Sequence, residues 1–212
     1  MTNSNDGIKT LKVSQRIYLP FKRLIGFLGS IVGIVFCSIL LWWWVFPINT
    51  IVTKGHPLFI HKRLGKNKKV FGLIKFRSMR IDVNPNLAPS EMSENEQKNM
   101  KTPFGEFLRK TSIDETLQLL NIFVGQMAFI GPRPGAAHNE EHLIECRERY
   151  TPNAYSVRPG LGGYAQAKMK RNHNPEEKAK WDSYYVSHIS LWLDIKIFFI
   201  TIFSVVGKGC GK

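Results

Sequence analysis

The chain has 212 residues, of which 43% are hydrophobic and 12% aromatic, and its formal net charge is +14. This length supports one domain with a real core, and the composition excludes a disordered tail. The excess of positive charge indicates an anionic partner: nucleic acid, an acidic membrane surface or phosphorylated small molecules. Because no helix-turn-helix, zinc-finger or RNA-recognition signature is present, we expect no nucleic-acid partner. The three cysteines have no metal-ligand spacing, which favours a reducing cytoplasmic setting.

An apolar segment lies near the N-terminus. No charged residue occurs from Leu24 to Thr53, a length that allows one crossing of a bilayer and exceeds the apolar run of a signal peptide. A buried core helix is the alternative interpretation. We therefore divide the chain into an N-terminal arm with a membrane-embedded helix, residues 1–53, and a cytoplasmic domain, residues 54–212.

Basic residues flank this segment on both sides. Positive charge marks the cytoplasmic side of a membrane helix, so two basic flanks predict a re-entrant helix that enters and leaves on the same side. Such a helix needs a break. Pro47 removes one backbone hydrogen bond, and Asn49 and Thr50 offer side-chain partners for freed backbone groups. The flanking residues are Lys9, Lys12, Arg16, Lys22 and Arg23 before the segment, and Lys54, Lys62, Arg63 and Lys66 after it.

The remaining pattern predicts an α+β fold that is mostly helical, with a small strand element. Strands are expected over residues 69–76 and 127–130, separated by a polar loop over 82–102 with a short helix over 90–100. Helices are expected over 113–124, ended by Gly125, and over 138–150 and 175–187. The apolar tail over 191–206 is either a core helix or an amphipathic helix in the membrane interface.

Two adjacent carboxylates, Asp114 and Glu115, stand out in a chain that is poor in acids. One interpretation is structural: Ser112 to Glu115 matches a capping box, in which Ser112 is the N-cap and Glu115 the third helical residue. The other is chemical: a carboxylate held ionised near Arg and Lys can attack phosphorus and form a covalent phosphoryl intermediate. A divalent cation nearby would shield the charge of the substrate.

Two arginines lie in turns that are rich in proline and glycine. Arg133 is framed by Pro132 and Pro134, and Arg158 is followed by Pro159 and a glycine-rich stretch. Each turn is either a rigid connection with a solvated arginine, or a device that orients a guanidinium for bidentate phosphate binding.

Taken in order, the motifs resemble those of the bacterial sugar transferase family, the monotopic phosphoglycosyl transferases. The resemblance covers about residues 16–202 and has the form of the minimal catalytic unit. The motifs that carry it are Gly55-His56-Pro57-Leu58-Phe59, Arg63-Leu64-Gly65, Lys75-Phe76-Arg77-Ser78-Met79, Ser112-Ile113-Asp114-Glu115, Leu117-Gln118-Leu119-Leu120-Asn121, Gly131-Pro132-Arg133-Pro134, Val157-Arg158-Pro159-Gly160 and Tyr184-Tyr185-Val186.

The resemblance implies transfer of a sugar-1-phosphate from a UDP-sugar to undecaprenyl phosphate, with release of UMP, at the bacterial inner membrane. It implies that Asp114 is the nucleophile and a ligand of Mg²⁺, and that Glu115 is also required. It further implies that Arg133 and Arg158 bind phosphate. Lys75 and Arg77 are expected near them, and Gln166 is expected to contact nucleotide or sugar. The catalytic domain would then face the cytoplasm against anionic lipid. The resemblance leaves homo-oligomers, the sugar and the glycan pathway open.

Two departures from the family pattern bear on these expectations. The family's re-entrant helix bends at a Ser-Pro pair that aligns near residues 38–41, where this chain has no proline. The family's Gly-Trp-Ala-Gln-Val-Asn-Gly-Arg segment reads Gly163-Tyr164-Ala165-Gln166-Ala167-Lys168-Met169-Lys170-Arg171 here, which concerns substrate choice. A non-catalytic membrane protein of the same fold is the alternative of a different class, although such a protein would be expected to lose the dyad or Arg133.

Overall fold

The computed structural model describes residues 11–83, 100–137, 140–169 and 174–210. It confirms the α+β, mostly helical fold. The helices are α1 (Val13–Cys37), α2 (Trp43–Val52), α3 (Pro103–Lys110), α4 (Gln118–Phe123), α5 (Glu141–Glu148), α6 (Tyr164–Met169), α7 (Pro175–Ser187) and α8 (Leu191–Cys210). The strands are β1 (Leu58–Leu64), β2 (Val70–Phe76), β3 (Ala128–Ile130) and β4 (Gly160–Gly162).

A π-helical turn over Ser38–Trp42 joins α1 to α2, so that helical structure runs without a gap from Val13 to Val52. The irregularity therefore lies where the resemblance places the bend, and not at Pro47, which is accommodated inside α2. A π-helical turn is a recognised cause of helix kinks. Length and composition would allow this helix to cross a membrane, although signal sequences and core helices can pass the same test. Only 17% of its most apolar 18-residue stretch is buried, so the helix is not a buried core helix.

Two glycines, Gly29 and Gly33, bring α1 close to the rest of the fold. A Cβ at Gly29 would lie 2.8 Å from the Phe129 ring, and one at Gly33 would lie 3.1 Å from Leu119. Beyond the π-helical turn, Val45 is fully buried in a cluster with Phe76, Leu108 and Leu117. The predicted domain boundary at residue 53 coincides with the end of α2 at Val52. Side chains from both sides of this boundary nevertheless pack in the same hydrophobic cluster.

The strands form two small sheets. The antiparallel hairpin of β1 and β2 has the register Leu58↔Phe76 to Leu64↔Val70, which confirms the strand predicted over residues 69–76. Its partner β1 was missed because it is mostly exposed or half-buried and rich in charge. The short β3, predicted over 127–130, pairs in parallel with β4, whose Gly-Leu-Gly sequence has no strand signal.

The helix predictions differ in outcome. The helix over 175–187 is confirmed as α7, since Asn174 caps it and Pro175 begins it. The helix expected over 113–124 is instead a 3₁₀ turn, Ile113–Glu115, followed by the short α4. Gly125 follows α4 with a φ of +89°, as expected of a residue that ends a helix. The predicted short helix over 90–100 falls almost entirely outside the described residues.

Asn121 attaches α4 to the edge of the hairpin. Its Oδ1 accepts a hydrogen bond from the Ile74 backbone at 3.0 Å, and its Nδ2 donates to the Gly72 carbonyl and to Gln126, both at 2.7 Å. The amide therefore replaces a neighbouring strand for β2. Because Asn121 is 1% exposed, water cannot take over these bonds.

We expect Asn121→Leu to lower the free energy of unfolding by about 2–4 kcal/mol, since it leaves the half-buried N–H of Ile74 and the carbonyl of Gly72 without their partner. Thermal or denaturant unfolding of the full chain in detergent measures this. Val124→Ala, at an exposed side chain just after α4, is the control and should change stability little. Equal effects of the two substitutions would contradict the proposed role of the amide.

Candidate active site

Asp114 and Glu115 lie on the 3₁₀ turn between α3 and α4. The capping-box interpretation is wrong: Ser112 has a left-handed φ of 57°, and its side chain makes no capping hydrogen bond. Instead, the Glu115 carboxylate accepts a hydrogen bond from Arg133 Nη2 at 2.5 Å. Burial raises the pKa of Glu115, but the charge and hydrogen bond of Arg133 outweigh burial and lower it below its usual value. Glu115 is therefore committed to Arg133.

Asp114 is buried and unpaired. Only 6% of the residue is exposed, and within the described residues its carboxylate has no hydrogen bond and no ion pair. Burial and the adjacent Glu115 raise its pKa to about 6, although the charges of Lys75, Arg109 and Arg133 act in the opposite direction. A carboxylate that is desolvated, free of partners and surrounded by cations is an available nucleophile.

Lys75, near the end of β2, is a second predicted basic residue, after Arg133, that the structure brings to the dyad. Burial, and then the charge of Arg109, lower its pKa to about 8, whereas Asp114 raises it. Its ammonium group also lies 5.1 Å from the centre of the Phe59 ring. Burial thus moves the pKa values of Lys75 and Asp114 towards neutrality from opposite sides.

Two further arginines, Arg63 and Arg109, contribute to the site and were absent from its predicted residues. Arg109, in the last turn of α3, donates through Nε to Ser78 at 3.0 Å. Arg63, on β1, donates to the Pro134 carbonyl at 3.3 Å and lies 3.7 Å from Glu140. Arg63 belongs to a motif quoted for the resemblance. Arg109 had no such signal, because a basic residue near a helix C-terminus is common.

A buried ion pair holds the turn that carries Arg133. Arg147 Nη2 donates to the Arg133 carbonyl at 2.8 Å, and Arg147 also bonds the Asp182 carboxylate at 2.5 and 3.0 Å. Both side chains of this pair are 1% exposed. The backbone around Arg133 is therefore anchored to α5 and α7. This anchoring restricts the positions that the Arg133 guanidinium can adopt.

The two proline- and glycine-rich turns pack directly against each other. Gly131 N donates to the Gly162 carbonyl at 2.9 Å, and Gly160 N donates to the Pro132 carbonyl at 3.0 Å. A Cβ at Gly160 would lie 2.1 Å from Gly131 N, so no larger residue fits. The glycines here permit contact between backbones, and the predicted approach of a substrate backbone to them stays a prediction.

The other predicted residues occupy different places. Arg77 donates to the carbonyls of His56 and Leu58 and lies over the Phe59 ring, on the outer part of the hairpin. Gln166 is exposed on α6, and its Oε1 lies 3.1 Å from a Cβ built at Gly163, beside the Arg133 turn. Arg158 bonds the Gly125 carbonyl at 2.8 Å and lines a separate cavity with Arg23 and Lys66. Their roles toward substrate stay predictions.

The dyad turn is also tied to the long helix. Trp42, in the π-helical turn, donates through Nε1 to Thr116 Oγ1 at 3.0 Å, one residue after Glu115. Leu117, the next residue, packs in the cluster that contains Val45. The position of the dyad therefore depends on contacts with the N-terminal helix.

We expect Asp114→Asn to stabilise the protein above pH 6, by an amount on the order of 1–3 kcal/mol. Its folded-state pKa of about 6 lies above the unfolded value of 3.8, so burial of the ionised carboxylate opposes folding above pH 6. This cost disappears as the pH falls from 6 towards 4, and the gain of the variant should disappear with it. Unfolding midpoints from pH 4 to 8 measure the effect.

Glu115→Gln serves as the comparison for that measurement. The pKa of Glu115 is lowered by Arg133, so this substitution should destabilise the protein at neutral pH. Parallel behaviour of the two variants would mean that the dyad carboxylates have similar environments, contrary to the geometry.

Comparisons with known proteins show which family the chain resembles. The family model described as bacterial sugar transferase matches residues 17–208. The chain is 32% identical to the galactosyl transferase CpsE of Streptococcus agalactiae serotype III, over 97% of this chain and 47% of that protein. It is 35% identical to the UDP-glucose:undecaprenyl-phosphate glucose-1-phosphate transferase of Xanthomonas campestris pv. campestris, over 73% of this chain and 32% of that protein.

A third relative is closer to this chain in length. The exopolysaccharide production protein PSS of Rhizobium leguminosarum bv. phaseoli is 33% identical, over 74% of this chain and 81% of that protein. The chain thus spans less than half of the first two relatives, whereas it covers most of the third. Because the family model covers nearly the whole sequence, including the dyad and both arginine turns, the chain belongs to the bacterial sugar transferase family.

Proposed function

We propose that the protein transfers a sugar-1-phosphate from a UDP-sugar to polyprenyl phosphate, such as undecaprenyl phosphate, and releases UMP. The observation that carries this proposal is the buried, unpaired carboxylate of Asp114 among Lys75, Arg109 and Arg133. The names of several relatives, which include UDP-glucose:undecaprenyl-phosphate glucose-1-phosphate transferases of Xanthomonas campestris and Escherichia coli, support the same reaction.

In the first step, an Asp114 oxygen attacks the phosphorus that carries the sugar. A bond forms between the carboxylate and phosphorus, and the bond to the bridging oxygen of the diphosphate breaks, so that UMP leaves with that oxygen. Lys75, Arg109 and Arg133 lie where they can stabilise the negative charge on the phosphoryl oxygens. Glu115 keeps Arg133 in place, so that its remaining guanidinium donors are oriented.

In the second step, an oxygen of polyprenyl phosphate attacks the same phosphorus. The acyl phosphate bond to Asp114 breaks, which restores the carboxylate and yields a polyprenyl-diphosphate-sugar. The cationic surroundings serve both steps, because the attacking and the leaving groups are anionic in each. The product would start the assembly of a bacterial polysaccharide or glycoconjugate.

Magnesium fits this site as an ion shared with substrate. Within the described residues no group of three or more His, Cys, Asp or Glu side chains could hold a metal, so a cage made by protein alone is not expected. Mg²⁺ is commonly bound by one or two carboxylates together with substrate phosphates, and Asp114 offers a hard, unpaired carboxylate for that role. When bound, the ion would supply charge neutralisation at the diphosphate.

We also propose that the N-terminal helix lies in one leaflet of the bacterial inner membrane, with the catalytic domain on the cytoplasmic face. A continuous helix of 40 residues measures roughly 60 Å, about twice the thickness of the hydrocarbon core. Contacts with the rest of the fold recur from Gln15 to Asn49, so that no stretch of about 20 residues is free to cross. Large apolar side chains are exposed along the helix, including Phe21, Val32 and Trp43.

This placement predicts that both ends of residues 13–52 lie on the same side of the membrane. Single cysteines introduced at Lys12 and Lys54, in a chain whose own cysteines have been replaced, should both resist an impermeant thiol reagent in intact cells. Both should react after the membrane is opened. Labelling of the Lys12 position alone in intact cells would show a full crossing and contradict the proposal.

The reaction is tested by UMP release from purified protein in detergent, with Mg²⁺, undecaprenyl phosphate and a panel of UDP-sugars. We expect release with a matching sugar and a loss of at least about a thousandfold in Asp114→Asn. Without acceptor, intact-protein mass should increase by one sugar phosphate in the wild type only. Asp82→Asn, the same change at an exposed acid, is the control and should keep activity. An Asp114→Asn variant that turns over normally would refute the proposed nucleophile.

A further inference from the structure

A second basic site lies away from the dyad, between α1 and the short parallel sheet. The cavity measures about 370 Å³, and five cationic side chains line it: Arg16, Lys22, Arg23, Lys66 and Arg158. Apolar side chains, among them Leu19 and Ile189, complete its wall.

Three of these cations have no acidic partner among the described residues. Lys22 is neutralised by Asp194 at 2.6 Å, but no ion pair involves Arg23, Lys66 or Arg158. Arg23 donates to the carbonyls of Ile122 and Phe123, which orients it without neutralising it. Arg158 uses Nε for the Gly125 carbonyl, which leaves its two terminal nitrogens without a partner in the described part of the chain.

The positive charges in the cavity repel one another. Burial lowers the pKa of Lys66, and the charge of Arg158 lowers it further. Burial likewise lowers the pKa of Arg158, with Arg23 acting in the same direction. No acid counters either shift, so repulsion among these cations destabilises the folded protein. A bound anion would remove this repulsion.

This anion is not the phosphoryl group that reacts at Asp114. The charges that shift the pKa of Asp114 most are Glu115, Lys75, Arg109 and Arg133, none of which lines the cavity. Conversely, neither dyad carboxylate contributes to the pKa of Lys66 or Arg158. The two basic sites are therefore electrostatically distinct.

The cavity is lined by the same turns of α1 that carry the apolar surface we assign to the membrane. The helical turns that carry Arg16, Lys22 and Arg23 also expose large apolar side chains at Val13, Ile17, Phe21, Leu24, Ile25 and Leu28, each more than half exposed. The uncharged run begins at Leu24, directly after Arg23. Cations at the start of an embedded helix lie at the depth of lipid headgroups.

We propose that this cavity binds the phosphate of an anionic bilayer phospholipid, with the acyl chains along the exposed face of α1. Arg23, Lys66 and Arg158 would contact the phosphate, and the apolar wall would accommodate the glycerol end of the chains. The inference rests on the membrane placement proposed above, but it does not depend on the transfer reaction. The lipid would join α1, the hairpin turn and the β4 turn at one point.

The test measures thermal unfolding of the full chain in non-ionic detergent during titration with phosphatidylglycerol. We expect the lipid to raise the unfolding midpoint, and Lys66→Gln to weaken its apparent affinity about fivefold, as expected for one basic residue near a lipid surface. Lys66→Arg should restore the affinity, which separates loss of charge from loss of fold. Lys69→Gln removes the same charge from an exposed residue of the same turn and should leave the affinity unchanged.

Competing ligands identify the source of the phosphate. If Lys66→Gln and Lys69→Gln weakened the affinity for the lipid equally, binding would depend only on general surface charge. That result would contradict the proposed phosphate site. Displacement of the lipid by millimolar inorganic phosphate or by a UDP-sugar would assign the cavity to a soluble anion. Displacement by undecaprenyl phosphate at much lower concentration would assign it to the acceptor. Asp114→Asn should bind the lipid with unchanged affinity, because Asp114 does not line the cavity. The lipid titration contains no sugar substrate, so its outcome is independent of the UMP-release experiment that tests the transferase proposal.

Discussion

The contact between Arg133 and Glu115 determines which of two adjacent carboxylates is available. If both were unpaired, their mutual repulsion in a buried site would favour protonation of one of them. Because Arg133 engages Glu115 at 2.5 Å, Asp114 alone remains without a partner. The contact depends in turn on the backbone of the Arg133 turn, which the buried pair of Arg147 and Asp182 holds. Residues on α5 and α7 thereby take part in arranging the dyad without touching it.

The distribution of positive charge separates two tasks within one small fold. Around the dyad, Lys75, Arg109 and Arg133 face two carboxylates, so part of the positive charge is offset within the site itself. Around the cavity beside α1, cations have no such balance among the described residues. A net charge of +14 could not reveal this division, because the basic residues of both sites are interspersed along the same stretch of sequence.

The sequence predicted those parts of the site that depend on local pattern. Asp114 and Glu115 stand out in a basic chain, Lys75 ends a recognisable strand, and Arg133 lies in a turn constrained by two prolines. The parts that depend on tertiary contacts were not accessible in this way. Arg109 reaches the dyad because α3 packs beside it, and Arg158 faces the other cavity because its Nε donates to the Gly125 carbonyl. The capping box failed because Ser112 adopts a left-handed conformation that a short motif cannot specify.

The elements of the fold divide in the same way, into those predicted from local pattern and those that depend on tertiary contacts. The helix predicted over 175–187 has the same bounds as α7, whereas β1 and β4 needed partners that only tertiary structure supplies. The long helix was recognised from its lack of charge, but its π-helical turn has no signal in composition. Where the resemblance expects a Ser-Pro pair, this chain uses a change of helical geometry at the same position.

The packing of Val45 has a practical consequence for anyone who wishes to shorten the protein. A cut at residue 53 would not release a soluble catalytic unit, because the side chain that fills the cluster of Phe76, Leu108 and Leu117 lies on the discarded side. The same cut would remove Trp42, whose indole bonds Thr116 beside the dyad. The truncated remainder would expose an apolar cleft next to the carboxylates, so its inactivity would report a damaged interior and not a missing anchor.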